Sequence, residues 1–286
     1  MLVIVTGSSG LLGRHVASAL VSAGHSVLGL DASAPPGDAP WRHVTADLTD
    51  LGAAMQVVRG AQAVVHLAAI PRPTGLAPER VFRTNLACAY NVIESAVLSG
   101  TVRLVYASSM SVLGYPFFER PIEPAYLPID SAHPVGPQDA YALSKWLGEE
   151  ILQTAVNRHP EVCAVSLRMP WIQTVDSFAR EVVPRREQAE LVARDLWGYL
   201  DARDAAAAFV AAVERPIAGH RRLYVSAADT FMEVETALLV RSAYPNAEIR
   251  RPLARFDSVF DLGEARAILG FDPRHTWRAY RMETVP

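Results

Sequence analysis

The sequence is short of several things, and each shortage removes a class of function. Basic residues are not in excess: 27 Lys and Arg stand against 30 Asp and Glu, a net charge of −3. No positive field therefore points to nucleic acid or to an anionic membrane surface. Only two cysteines occur, Cys88 and Cys163, far apart and in apolar surroundings. They read as small buried side chains in a reducing compartment, with neither a disulfide framework nor a metal site. His66, His133 and His159 have no acid or cysteine at ligand spacing, so they are assigned to structure and no metal is expected. Long apolar runs are missing too, since none approaches the roughly twenty residues of a membrane helix. The alanine-rich DAAAAFVAAVE, flanked by charge, reads as a buried helix. The first residues form a strand pattern with no basic segment or signal-like apolar region, and a cytoplasmic protein is expected.

What is present is ordinary for a globular protein of 286 residues, half hydrophobic (50%) with 20% charged. Over the first 170 residues, apolar runs without a polar face alternate with helical patterns. LVIVT, SVLGL, RHVTA, AVVHLAA, RLVYASS and VCAVSLR read as buried parallel strands, and Leu11–Ala23, Leu51–Val58, Glu79–Ser99 and Asp139–Asn157 as helices. That order predicts an α/β fold, a doubly wound parallel sheet. After Pro170 the alternation breaks. A helix at Asp201–Glu214, a strand at Leu223–Ser226, a helix around Glu233–Ala243 and a last helix in DLGEARAILGF, closed by Gly270, are predicted there. Residues 171–286 thus read as a smaller substrate-binding region packed on the sheet's edge. Residues 110–140 read as a long loop holding six prolines between Pro116 and Pro137, and such a loop is usually functional.

The first strand hands over to the first helix through TGSSGLLG, with Gly7, Gly10 and Gly13 spaced three apart. In a doubly wound sheet, ligands bind beyond the carboxyl ends of the strands. A glycine turn there lets a pyrophosphate reach the backbone, and the positive end of the following helix favours its charge. The second strand ends in Asp31, where a carboxylate can accept from an adenosine ribose diol. Residues 32–41 contain no basic side chain for a 2′-phosphate, which favours NAD over NADP, with Arg42 as the residue that could reverse the preference. Asp47, after the third strand, is placed to bond the adenine amino group.

The fifth strand ends in YASSMSVLG, and YALSKWLGEE follows at Tyr141. Tyr141 and Lys145 lie four apart on one helical face. An ammonium beside a phenol favours the phenolate and makes Tyr141 a usable proton acceptor. A serine opposite can hold the reacting oxygen. Taken together, TGSSGLLG, Asp31, DL at 47–48, HLAA at 66–69, Asn85, SSMSVLG and YALSK make the chain resemble the extended short-chain dehydrogenases/reductases, of the NAD-dependent epimerase/dehydratase type. The resemblance implies a Rossmann-type NAD-binding domain over 1–170 and hydride transfer between a nicotinamide and a carbinol carbon. It makes Tyr141 the acid/base, has Lys145 bind the nicotinamide ribose, and has Ser109 orient the substrate, with Ser108 and Ser111 as lesser candidates. Ser9, Leu11, Leu12, Leu48, Leu67, Ala68, Ala69, Asn85 and Met169 would line the cofactor beside the three glycines, Asp31 and Asp47. Relatives often dimerise through two long helices, here Glu79–Ser99 and Asp139–Asn157, and a homodimer is expected.

Departures from the pattern narrow the reaction. Sugar-nucleotide dehydratases carry an Asp-Glu pair after the catalytic Ser/Thr; here Met110 and Ser111 stand there, so elimination of water is not expected. Sugar-nucleotide epimerases carry an arginine before an RDYIHVxD-like stretch. Here Trp197 falls in that place in LWGYLDARDAA, Arg194 lies three residues earlier, and the pattern is more like that of uronate dehydrogenases. Arg180, Arg185 and Arg186 are candidates for a carboxylate or phosphate, or a solvated basic face. The reading is an NAD-dependent oxidoreductase of a small sugar-like substrate, with Ser111, Arg194 and Trp197 beside Ser109 at the substrate. Trp197 favours net dehydrogenation, with a nucleotide-sugar epimerase as the alternative and a non-catalytic dinucleotide sensor behind both.

Overall fold

The apolar runs fold as strands in the computed structural model, which describes residues 1–35 and 37–280. They are β1 (Leu2–Thr6), β2 (Ser26–Asp31), β3 (Arg42–Thr45), β4 (Ala63–His66), β5 (Arg103–Ala107), β6 (Tyr126–Leu127) and β7 (Cys163–Arg168). Between them lie α1 (Leu11–Ser22), α2 (Leu51–Val58), α3 (Pro78–Leu98) and α4 (Ala140–Arg158). AVVHLAA and RLVYASS overshoot their strands; the chain leaves the sheet after His66 and Ala107, and the remainder of each run turns into the site.

Beyond residue 170 come β8 (Trp171–Gln173), β9 (Tyr199–Asp201), β10 (His220–Tyr224) and β11 (Glu248–Ile249). The helices there are α5 (Val175–Ser177), α6 (Ala189–Arg194), α7 (Ala202–Glu214), α8 (Thr236–Ala243) and α9 (Gly263–Leu269). Gly270 ends α9 in the left-handed conformation at φ 67°.

A seven-stranded sheet runs in the order β10-β7-β5-β4-β1-β2-β3, with every pairing parallel. Its strands alternate faces. Val3 and Val5 pack with α1 and α7, while Ile4 packs with α2, α3 and α4, so both faces of the central strands are dry, whereas β3, read from sequence as buried, is an exposed edge strand. The chain order reverses between β1 and β4, which opens a crevice at their carboxyl ends.

Two predicted elements differ in place. The strand predicted at Leu223–Ser226 in the C-terminal region is part of β10, paired with β7 as the seventh strand of the sheet. Its opening, His220-Arg221-Arg222, lacks the apolar signature because only Leu223 and Tyr224 in it are buried. The predicted loop over 110–140 carries a short turn at Met110–Leu113 and β6, which pairs in parallel with β11. These two-residue strands are too short to leave a period in the sequence.

Candidate active site

The crevice is closed in from below by glycine. Gly7 sits at φ +70°, and a Cβ there would lie 2.7 Å from the Ala68 nitrogen in the turn after β4. A Cβ on Gly13 would fall 1.9 Å from the Gly7 carbonyl oxygen, so only a bare backbone lets α1 begin this close to β1. Gly10 is the N-cap of α1 and no side chain caps it, leaving the first N–H groups open toward the crevice. Leu11 is exposed on that first turn, and Leu67, Ala68 and Ala69 are half-buried opposite it. The cradle fits a pyrophosphate.

Asp31 ends β2 beside it. One carboxylate oxygen accepts from the Ser9 N–H at 3.0 Å, and the other accepts from the Ser33 N–H at 3.2 Å. The β2–β3 register settles the place of Arg42: it pairs with Leu28, while Asp31 pairs with Thr45. The Arg42 backbone thus stands three residues back along the strands, about 10 Å from that of Asp31. Asp47 is exposed, and the Thr49 hydroxyl and N–H hold its carboxyl below the usual range. Leu48 is buried, and its carbonyl accepts from Asn91, as does that of Thr49.

Thr6 at the end of β1 organises the facing turn. Its Oγ1 accepts from the N–H groups of Leu67 and Ala68, both at 3.1 Å, and lies 2.7 Å from His66 Nδ1. Burial, and then the charge of Lys145, push His66 down to about 3, so the ring that shares this hydrogen bond with Thr6 is neutral. Asn85 on α3 braces the same turn, accepting from the Ile70 N–H at 2.7 Å and donating to the Ile70 carbonyl and to Ser144. Thr6, Ser33 and Asn91 were not singled out from sequence, because single polar residues at strand ends and on a helix carry no spacing signal.

Tyr141 and Lys145 lie one turn apart on α4, and the Ser109 hydroxyl faces the Tyr141 phenol from the end of β5. Asp139 caps α4, accepting from the Ala142 N–H at 2.9 Å. Tyr141 and Lys145 then share the buried face of the helix, with Nζ 5.7 Å from the centre of the Tyr141 ring. The ammonium donates to the Ala107 carbonyl at 2.8 Å. Ser109 accepts from the Ser111 N–H and donates to its hydroxyl at 3.0 Å. Ser108 turns away to a different partner, Glu149. Met169 is buried, and its carbonyl accepts from the Met110 N–H at 2.9 Å, fastening the end of β7 to the serine turn.

Burial pushes the Tyr141 phenol up to about 12, with the Ser109 hydroxyl opposing the rise and Asp139 adding to it. Burial brings Lys145 down from 10.5 to about 8. That shift makes a testable statement about stability. Below about pH 8 the folded protein holds a buried charge that the unfolded chain keeps in water, and the penalty fades as the pH climbs toward 10.5. Lys145→Met is therefore expected to raise Tm by a few degrees at pH 7 and by progressively less toward pH 10. A gain that stays constant with pH in thermal melts would contradict this.

The residues expected at the substrate are spread more widely. Trp197 is buried with a left-handed backbone (φ 51°), its ring 5.7 Å from that of Tyr244. Arg194 is exposed and stacks 4.5 Å over Phe118. Neither shares a hydrogen bond with Ser109, Tyr141 or Lys145 among the described residues. Arg180 pairs with Glu181, Arg185 stacks on Trp171, and Arg186 lies against Trp277 and Glu233. A cavity of about 370 Å³ opens at the head of α4, lined by Pro73, Phe117, Glu119, Gln138 and Asp139. The proline-rich segment, ending at Pro137, thus forms a wall four residues before Tyr141 along the chain.

The family model described as the NAD dependent epimerase/dehydratase family matches residues 3–226. The chain is 30% identical over 200 residues to an L-arabinose 1-dehydrogenase (NAD(P)(+)) of Haloferax volcanii, covering 68% of this chain and 76% of that protein. It is 31% identical over 163 residues to a GDP-mannose 3,5-epimerase 1 of Oryza sativa subsp. japonica, covering 51% of this chain and 40% of the relative. A crystal structure of a short-chain dehydrogenase/reductase superfamily protein from Agrobacterium tumefaciens with bound NAD superposes with a TM-score of 0.74 at 26% identity, covering 97% of this chain and 94% of that one.

Proposed function

The chain belongs to the NAD-dependent epimerase/dehydratase family, and we propose that within it the chain is a dehydrogenase of an unactivated sugar. It is an NAD-dependent enzyme, and the reacting centre in this reading is a secondary alcohol or hemiacetal carbon. Bound NAD supplies the hydride acceptor. Gly7, Gly10, Gly13 and the open N–H groups of α1 would hold its pyrophosphate, Asp31 a ribose diol, and Lys145 the nicotinamide ribose. Arg42 pairs with Leu28 and not with Asp31, which supports NAD over NADP.

Ser109 holds the substrate hydroxyl in line with Tyr141. Tyr141 takes the hydroxyl proton as the carbon gives up its hydride, and the product is a ketone or lactone. Against the burial that raises the Tyr141 phenol, the Ser109 hydroxyl favours the phenolate that this step needs, and in this reading the Lys145 ammonium one turn along the helix adds to it.

The observation that carries net dehydrogenation is Trp197. An epimerase must grip a diphosphate while the oxidised sugar turns over, and where the anchoring arginine would stand this chain has a tryptophan packed into the core. Arg194 keeps the alternative alive, since a guanidinium stacked on Phe118 still presents its edge to an anion. The two readings differ in how firmly the cofactor is held. Protein purified without added cofactor and passed through gel filtration is expected to carry little NAD and to rebind it reversibly. Stoichiometric NAD that survives purification would favour the epimerase instead.

We place the enzyme in the cytoplasm, where the unpaired thiols of Cys88 and Cys163 stay reduced. No helix among the described residues is long and apolar enough to cross a membrane. A groove of about 670 Å³ between α3 and α4, lined by Leu86, Tyr90, Leu147 and Ile151, would take a second copy of the chain. The mass in solution tests this, with a monomer as the contrary result.

A further inference from the structure

One buried ionic group lies outside the roles assigned so far. Glu149 on α4 is fully buried, and its carboxylate accepts three hydrogen bonds, from the residue just past β5 and from β7, and pairs with a second arginine on β10. Ser108 Oγ donates to it at 2.5 Å, Arg168 Nε and Nη2 at 2.9 and 2.7 Å, and Arg222 Nε lies 3.1 Å away. Arg168 is itself 3% exposed. A buried ion pair is weak evidence for stability, because desolvation offsets most of the attraction; what such a pair does supply is a single defined geometry.

The geometry defined here is that of the catalytic groups. Tyr141, Lys145 and Glu149 follow one another at i, i+4 and i+8 on the inner face of α4. Lys145 reaches the Ala107 carbonyl, and Glu149, one turn on, holds the side chain of the very next residue, Ser108. Ser108 in turn precedes Ser109. On the other side the carboxylate holds Arg168, which precedes Met169, whose carbonyl anchors Met110. The helix with the acid/base, the strand end with the serine and the strand end beside the crevice are thus tied to one carboxylate.

We propose that Glu149, with Ser108 and Arg168, is a positioning residue that fixes Lys145 for the cofactor. This rests on the reading that Lys145 holds the nicotinamide ribose. Glu149 touches no reacting atom; it acts by keeping the Lys145 ammonium and the end of β5 in register.

The test is a double-mutant cycle on NADH binding, read from NADH fluorescence with no sugar present. Glu149→Gln is expected to weaken NADH binding about tenfold when Lys145 is present, and by less than about twofold in a Lys145→Met background. A general packing defect would lower affinity equally in both backgrounds, and that result overturns the proposal, as does unchanged binding in the single variant. Should Glu149→Gln fail to fold, Ser108→Ala decides, since it cuts the link to β5 and leaves the ion pair. It is expected to cost about threefold with Lys145 and nothing measurable without it. Because the cycle uses the cofactor alone, a failure of the sugar reading would show in turnover and leave this result standing.

Discussion

Tyr141→Phe is expected to lower turnover by about three to four orders of magnitude while leaving NADH affinity within about twofold. The substitution removes one oxygen and keeps the ring, which lies on the buried face of α4. Ser109 keeps its bonds to Ser111, so the serine turn has no reason to move. Nothing else among the described residues can replace the lost acceptor: His66 is neutral and already bonded to Thr6. Lys145, even where burial lets it lose its proton, is held at the Ala107 carbonyl. The affinity is expected to survive because the cradle for the diphosphate lies across the crevice in the glycine turn. A loss of both turnover and binding would mean the ring has a packing role. Unchanged turnover would remove Tyr141 from the mechanism.

The second large effect is expected at Gly13. An alanine Cβ there would lie 1.9 Å from the Gly7 oxygen, 2.7 Å from the Gly7 carbonyl carbon and 2.8 Å from the Ser8 Cα. All three are backbone atoms of the turn that forms the cradle, so relief requires α1 to move away from β1. Such overpacking costs about 1–3 kcal/mol or more, and the shift opens the ring of N–H groups that would face the pyrophosphate. Gly13→Ala is therefore expected to lower Tm by several degrees and to lose measurable NADH binding. Gly10→Ala is the internal comparison: its Cβ would meet the Gly7 oxygen at 3.3 Å, close enough to be felt and far enough to be absorbed. It is expected to fold normally and bind NADH with a modest loss. Equal behaviour of the two variants in melts and titrations would refute the cradle.

How much of this was legible in the sequence depends on the kind of signal each part leaves. Strands buried on both faces, such as LVIVT and AVVHL, leave unbroken apolar runs that helices bracket, so the order of the sheet's first six strands could be read. β10 could not be placed, because it enters through His220, Arg221 and Arg222 and its partner β7 lies far back in the chain. The pairs β6–β11 and β8–β9 are held by tertiary contacts, and two or three residues carry no period.

The site divides the same way. Tyr141 and Lys145 are visible because helical spacing fixes their common face, and Gly7 and Gly13 because a bare backbone is rarely tolerated at a strand–helix junction. Glu149 obeys the same spacing as Tyr141 and Lys145 but carries no signal of its own, since its partners Ser108 past the end of β5, Arg168 on β7 and Arg222 on β10 are brought together only by the fold. A gapless match of motifs puts Trp197 at the substrate; in the structure its ring packs on Tyr244, behind a left-handed turn that no pattern announces.

The central claim is net oxidation of an unactivated sugar by NAD, with Tyr141 as the proton acceptor. The most direct measurement is absorbance of NADH when the purified protein and NAD meet two panels, free sugars with uronic acids and nucleotide-linked sugars. The expected result is NADH accumulating with a member of the first panel, in step with the sugar oxidised. No net NADH from either panel, together with an epimerised nucleotide sugar in the product mixture, would contradict the account and return Arg194 as the anchor of a diphosphate.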